Sequence, residues 1–272
     1  MKEKKASKIE AIFFDWAGTF VDYGSTAPAA AFVELFKSFD VPISTKEARA
    51  PMGADKRTHI EKILQDLNVQ DRWEKTHNRQ SQNSDVDKMY DKFLDIQIKC
   101  LKNHSDLIPG TLDVIKDLKS RSYKLGSTTG YTKEIMKHLI PMVEKQGFKP
   151  DSIVCASDVE NSRPYPNMIL QSMMELKVLK TSQCVKVDDT VIGIEEGLNA
   201  GCWTIGLALS GNYVGLSHDE WIRLPHEEKD KLKKSAYNKF SSSGAHFVVD
   251  SINDIIPCLN EIENKISQNY YS

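Results

Sequence analysis

The stretch FFDWAGTFVDYG, residues 13–24, ends an apolar run on Asp15 and then offers Ala17 and Gly18 rather than a second acid. A carboxylate delivered to the exposed end of a strand can serve as a nucleophile or as a ligand to a hard cation. Polar residues close the later apolar runs as well: Thr128-Thr129-Gly130-Tyr131, Asp158, and Asp188-Asp189-Thr190. Ligands of open α/β sheets bind beyond the carboxyl ends of the strands, so these four ends predict one site. The small and hydroxyl-bearing neighbours of the acids let backbone N–H groups approach an anion, and the pair Asp188-Asp189 suits a divalent cation such as Mg2+. Each residue alone has a plainer reading, Asp15 and Asp188-Asp189 as turn or helix-cap acids; it is their ordered recurrence at strand ends that points to chemistry.

The elements that must position these residues follow from the pattern. IEAIFFD (9–15) is a short apolar run closed by turn residues, as expected of a strand buried on both faces. Further strands are predicted at 123–129, 152–158, 184–189, 202–209 and 246–250. Helices lie between them at 110–121, 132–146, 164–177 and 191–200, opened by Thr132 or Pro164 or closed by Gly201. That alternation predicts an α/β fold, a doubly wound parallel sheet with helices on both faces. Residues 26–104 read differently, with helical periodicity and almost no strand signal. APAAAFVELFKSF is helix-like, and Ser44 with Glu47 makes a capping box. ADKRTHIEKILQDL places Ile60, Ile63, Leu64 and Leu67 on one stripe, and a long helix opened by Ser84 carries Met89, Phe93, Ile96 and Cys100 at the same spacing. The expected organisation is a core domain of residues 1–25 and 105–272 with a helical cap domain, 26–104, inserted after the first strand. The two connections would lie side by side, an arrangement that can hinge over a site.

Composition narrows the classes further. With 36 basic and 38 acidic residues in 272, a formal charge of −2, there is no bulk field to attract nucleic acid or an anionic membrane. The five cysteines are odd in number and show no C-x-x-C spacing, which fits buried thiols in a reducing compartment. The basic MKEKKASK runs directly into a strand without the apolar core of a signal peptide, and no apolar run approaches the roughly 20 residues a membrane helix needs. A cytoplasmic enzyme acting on a small molecule is the expectation.

On these residues the chain resembles the haloacid dehalogenase superfamily, with Asp15, Thr129, Arg163 and Asp188-Asp189 matching its nucleophile, its Ser/Thr hydroxyl, its Lys/Arg cation and its acidic metal pair in order. Within that superfamily FDWAGT, VDYG, PMGADKRTHI, GSTTGYT, RPYP, DDTV and GAHF are similar to the phosphonatase (phosphonoacetaldehyde hydrolase) family over nearly the whole chain. The resemblance implies hydrolysis of a carbon–phosphorus bond. Phosphatases of the superfamily carry an acid two residues after the nucleophile to protonate an alkoxide; Ala17 stands there in this chain, which suits a leaving carbanion that needs an electron sink instead. It implies Lys56 as that sink, through an imine with the substrate aldehyde, and His59 as proton shuttle three residues on. Met52, Gly53, Thr129, Gly130, Tyr131 and Arg163 would bind the substrate, and Asp15, the Ala17 carbonyl, Asp189 and Asp188 would hold Mg2+. Lys56 must then titrate well below about 10.4, through burial or neighbouring charge such as Arg57.

Some positions depart from the family pattern. Asp188 stands where a glycine is expected and Gly193 where a second acid is expected; Phe20 and Ser25 replace a threonine and a cysteine and are placed at the mouth of the pocket. The altered acids put metal affinity in question. Two alternatives accompany the phosphonatase reading: a phosphatase of the same fold acting on another small phosphorylated or phosphonylated aldehyde, and a non-catalytic protein of that fold. A homodimer is implied by the resemblance, with an apolar stripe of the helical insert as its interface.

Overall fold

Apolar side chains at every position of Ala11–Phe14 leave this strand, β1, no polar face, and all four residues are fully buried. A strand of that kind belongs in the middle of a sheet covered on both sides. The computed structural model, which describes residues 9–268, has it there; the octapeptide 1–8 considered above for targeting signals lies outside the described residues. Five helices follow β1 without an intervening strand: α1 (Thr26–Lys37), α2 (Thr45–Arg49), α3 (Lys56–Leu64), α4 (Leu67–His77) and α5 (Asn83–Leu101). Strands and helices then alternate: α6 (Thr111–Ser120), β2 (Lys124–Thr129), α7 (Lys133–Glu144), β3 (Ser152–Cys155), α8 (Asn167–Leu176), β4 (Cys184–Asp188), α9 (Val191–Asn199) and β5 (Trp203–Leu207). After α10 (His218–Arg223) and α11 (His226–Ser242) come β6 (Phe247–Val249) and α12 (Ile255–Ser267).

The six strands form one parallel sheet in the order β3-β2-β1-β4-β5-β6. Ala11 pairs with Lys124 on one side and with Cys184 on the other, so the strand order reverses between β1 and β4. The carboxyl ends of those two strands open the crevice in which such sheets bind ligands, and Asp15, Asp188 and Asp189 stand there.

The five-helix segment has its own apolar cluster, which includes Phe32, Phe36, Ile60, Ile63, Leu64, Trp73, Met89 and Phe93. Phe32 stacks on Phe93 at 4.5 Å between ring centroids. Ser44 and Glu47 make the predicted capping box at α2. The segment leaves and rejoins the sheet through adjacent strands of chain: Asp22 N–H donates to Asp106 O (3.0 Å) and Ile108 N–H to Phe20 O (2.9 Å).

Several expectations change. The stripe predicted to run on to Leu67 ends at Leu64: the Asp66 side chain caps a new helix there, and Leu67 is 80% exposed. Met89 and Phe93 turn into the segment's own core, so the apolar stripe assigned to a partner is largely occupied within the chain. Phe20 does not reach a pocket mouth; it is fully buried against Phe14, Trp16 and Phe148. Helices α4, α10, α11 and α12 were not foreseen, because their faces mix charged residues among the apolar ones and the strands beside them gave the stronger signal.

Candidate active site

Asp15 continues β1 by one residue, its N–H donating to Val187 O of β4 (3.0 Å), and so it is fixed at the strand end by the ladder itself. Its Oδ1 accepts from Arg163 Nη2 at 2.8 Å. Arg163 comes from the loop after β3 and is buried, and the same Nη2 donates to Thr128 O (2.8 Å). Asp188 closes β4. Its Oδ1 accepts from the N–H and hydroxyl of Thr190 (2.9 and 2.7 Å), and its Oδ2 lies 3.1 Å from Lys186 Nζ and 3.3 Å from Arg163 Nη2. Asp189 Oδ2 accepts from Asn212 N–H at 2.8 Å. Asp15, Asp188 and Asp189 each offer a carboxylate oxygen, and these oxygens lie within 4.8 Å of one another.

Crowding of buried acids has the expected electrostatic result. Burial, reinforced by Asp188, pushes the Asp15 carboxyl up to about 6 against the opposing Arg163 and Lys186 charges. Burial and then Asp15 raise Asp189 well above the carboxylate range. Burial also acts against Asp188, but Arg163 and Lys186 outweigh it and hold that carboxyl low. Burial opposes the Arg163 cation, yet Asp188, Asp15 and Glu196 overcome it and keep it firmly charged. An all-oxygen donor set with two acids that resist ionisation is a fitting seat for a hard cation, which would supply the missing positive charge.

A small cavity of about 20 Å³ lies over these acids. Asp15, Ala17, Ser25, Met52, Gly53, Lys56, Thr129, Gly130, Tyr131, Arg163 and Asp189 are among the residues that line it. The predicted substrate residues are thus brought together on one void. Lys56 opens α3 behind an Asp55 cap and is 4% exposed. Its Nζ stands 4.8 Å from the Tyr131 ring centroid and 5.8 Å from that of Phe32. Burial, assisted by Arg163 and opposed by Asp15, lowers its amine to about 8. Arg57, expected to help, is instead a partly exposed partner of Asp87 at 2.8 Å and is not among the main causes of that shift. Gly53 (φ 97°) is packed so closely that a Cβ there would meet Ile192 Cγ2 at 2.3 Å, and one at Gly130 would meet Ala54 O at 3.0 Å. The PMG turn is therefore seated directly on the loops after β2 and β4.

His59 is fully buried but does not line the cavity. Its Nε2 lies 2.8 Å from Ala48 O, which fixes that nitrogen as the donor, and its ring stacks on Phe32 at 3.7 Å. Burial and then Lys56 depress it well below its ordinary value, so it is a neutral imidazole with a bare Nδ1. Asp158, grouped with the other strand-end acids from sequence, stands apart from the site: it accepts from Cys155 N–H (3.0 Å) and pairs with Lys133 (2.6 Å). A short helical turn, 156–158, carries it away from the crevice.

Two residues that sequence reasoning missed support the site from beneath. Lys186 and Glu196 are both fully buried, and Lys186 Nζ donates to Thr128 Oγ1 (2.6 Å). That hydroxyl donates to Glu196 Oε2 (2.9 Å), which also accepts from Arg163 Nε (2.9 Å). A lysine flanked by valines in a strand buried on both faces was the available signal, since such a charge requires a buried partner. The substituted acid and glycine also explain each other: a Cβ at Gly193 would lie 2.0 Å from Asp188 Cγ, so the Asp188 carboxylate fills the room that a side chain at 193 would take.

Residues 12–207 match the model of the haloacid dehalogenase-like hydrolases. The phosphonoacetaldehyde hydrolase of Paraburkholderia xenovorans is 42% identical over 260 residues, 96% of this chain and 97% of that protein. The corresponding enzyme of Hahella chejuensis is 40% identical over 262 residues, 96% of this chain and 89% of that one. A crystal structure described as a phosphonoacetaldehyde hydrolase-like protein from Oleispira antarctica superposes with a TM-score of 0.95 at 38% identity, covering 97% of this chain and 95% of its own.

Proposed function

The chain belongs to the haloacid dehalogenase-like hydrolases and, among them, to the phosphonoacetaldehyde hydrolase family, and from that premise we propose that it cleaves the carbon–phosphorus bond of phosphonoacetaldehyde to acetaldehyde and inorganic phosphate. The observation that carries the mechanism is that Lys56, a buried amine brought down to about 8, shares one small cavity with the Asp15 carboxylate.

The Lys56 amine adds to the substrate aldehyde and, with loss of water, forms an imine whose protonated form draws electrons from carbon. Arg163 and the Thr129–Gly130 backbone hold the phosphonate oxygens, and one Asp15 oxygen attacks phosphorus in line. As the P–C bond breaks, its electron pair moves into the imine to give an enamine, and Asp15 carries the phosphoryl group. No acid is needed at residue 17, where Ala17 stands, because no alkoxide leaves. Protonation of the enamine carbon and hydrolysis of the resulting imine release acetaldehyde and free Lys56; water then cleaves the aspartyl phosphate. The bare Nδ1 of His59, on the helix that carries Lys56, is the base we assign to the proton movements of imine formation and hydrolysis.

Asp15, Asp189 and the Ala17 carbonyl are the residues we assign to Mg2+, with Asp188 anchoring Arg163 and Lys186 behind them. Four buried carboxylates (Asp15, Asp188, Asp189, Glu196) outnumber the buried cations beside them (Arg163, Lys186 and, while protonated, Lys56), and a divalent ion offsets that excess of negative charge. When bound, Mg2+ neutralises phosphonate and carboxylate oxygens as charge moves in the transition state.

A void of about 20 Å³ holds little more than one water. We take residues 26–104 as a cap domain on the 1–25 and 105–272 core that opens to admit substrate, the adjacent cavity of about 530 Å³, which shares Lys56, Gly130 and Arg163, being the approach. Cytoplasmic location fits the five free cysteines, and no helix among the described residues is long and apolar enough to cross a membrane. A homodimer rests on the family resemblance alone and is checked by sedimentation.

The test is acetaldehyde release from phosphonoacetaldehyde with and without Mg2+, together with borohydride trapping. Metal-dependent turnover and a covalent adduct on Lys56 are expected; turnover with no adduct would remove the imine. The non-catalytic alternative drew on the altered acidic motif, and three carboxylates within 4.8 Å take that support away.

A further inference from the structure

Arg49, the last residue of α2, faces the core across the gap that must open. Its Nη1 donates to Gly24 O (2.9 Å), to Asn212 Oδ1 (3.2 Å) and to Asn212 O (3.4 Å), and its Nη2 donates to Gly215 O (3.0 Å). Asn212 Nδ2 donates back to Arg49 O (3.4 Å). The guanidinium thus joins three stretches of chain: the helical segment, the first linker at Gly24, and the loop after β5. That loop fits closely around it, since a Cβ at Gly215 (φ 67°) would lie 2.7 Å from Arg49 Nε and 2.8 Å from its Cζ. These hydrogen-bond partners are carbonyl and amide oxygens rather than a carboxylate, so the contact depends on the planar fork of arginine and on alignment more than on net charge.

Asn212 has a second attachment. While its side chain engages Arg49, its backbone N–H donates to Asp189 Oδ2 at 2.8 Å, and the residue is 5% exposed. Four residues beyond Arg49 lies Gly53, and three beyond that Lys56, both on the wall of the cavity that holds Asp15. A single residue of the core therefore touches the base of the segment that delivers the amine and the carboxylate at the opposite wall.

We propose that Arg49 and Asn212 form a clasp that closes the helical segment over the site and, through the Asn212 backbone, sets the Asp189 carboxylate in the same movement. Both are positioning residues: neither lines the cavity, and each acts through a residue that does. The proposal deepens the phosphonatase reading and rests on it for its kinetic arm. Opening the cavity breaks the Arg49 bonds to the core loop, and closing remakes them. Lysine cannot reproduce a fork that reaches Gly24, Asn212 and Gly215 together.

The experiment compares wild type with Arg49→Met, Arg49→Lys, Asn212→Ala and the double variant Arg49→Met/Asn212→Ala. Asn212→Ala retains the backbone N–H to Asp189, so it serves if an Arg49 variant folds poorly. Each single change is expected to lower kcat/KM for acetaldehyde release at least tenfold. The double variant is expected to be no worse than the poorer single one, because two halves of one clasp are not additive. Arg49→Lys is expected to behave as Arg49→Met. Two readouts need no turnover: amide hydrogen exchange over residues 45–56 should quicken at least tenfold in Arg49→Met, and calorimetric titration should show weaker Mg2+ binding. Additive losses, full rescue by lysine, or unchanged exchange and Mg2+ affinity would each overturn the clasp. An inactive wild type would instead refute the assigned reaction, and exchange and calorimetry would then decide the clasp on their own.

Discussion

Replacing Lys56 by methionine should abolish turnover and, at neutral pH, make the protein more stable. The amine is 4% exposed, and burial takes it from its ordinary 10.5 to about 8. At 1.36 kcal/mol per pKa unit that difference is worth about 3 kcal/mol against the folded state when the lysine is protonated. Below pH 8 the amine is charged in both folded and unfolded chains, and the full cost applies. Between pH 8 and 10.5 the folded protein has released the proton while the unfolded chain still binds it, so wild-type stability climbs with pH; above 10.5 the cost is gone. Methionine carries no charge and has the length to lie against Phe32 and Tyr131, which Lys56 Nζ already faces. The variant should therefore exceed wild type by up to about 3 kcal/mol at pH 7, roughly 6–12 °C in Tm for a chain of this size, and the gap should close as the pH approaches 10.5. Urea unfolding of both proteins in metal-free buffer from pH 7 to 10.5 measures it. A stability difference that stays constant across that range would refute the buried amine of lowered pKa, and with it the physical basis for a nucleophilic Lys56.

Glu196→Gln removes the carboxylate shared by Lys186, Thr128 and Arg163, so that Arg163 Nε and Lys186 each lose a buried ionic partner; a loss of about 3–5 kcal/mol is expected in denaturant unfolding, with kcat falling as Arg163 loses its hold. Gly193→Ala puts a methyl group 2.0 Å from Asp188 Cγ, so Asp188 must rotate away from Lys186 and Arg163, and calorimetry should show weaker Mg2+ binding; unaltered binding would mean that Asp188 can shift without consequence for the metal. Asp15, at about 6, and Asp189, also raised, titrate above their unfolded values, so the metal-free protein loses stability as pH rises from about 4 through 6. Mg2+ should accordingly raise Tm more at pH 7.5 than at pH 5, and an equal rise at both would contradict the crowded acids as its seat.

The sequence by itself determined the sheet and the insertion point of the helices, and it picked out the candidate reacting groups. Strands buried on both faces read as continuous apolar runs, and the polar residue that ends each run sits at the sheet's carboxyl edge because a strand can place it nowhere else. Asp15, Thr129 and Asp188-Asp189 were legible for that reason, and Ala17 was informative because an acid was missing. Only the tertiary structure decided what lies beside what. Asp158 ends an apolar run like the others, yet a helical turn carries it to Lys133. Phe20 belongs to the core and Arg57 to a surface pair, distinctions that residue type does not encode. Lys186, Glu196, Arg49 and Asn212 come from separate elements, and their roles arise from distances of about 3 Å between atoms far apart in the chain. The lowered Lys56 pKa has the same origin: it is the desolvation of one amine by a wall assembled from both the sheet and the helical segment. A sequence names the amine, but burial belongs to the packed chain.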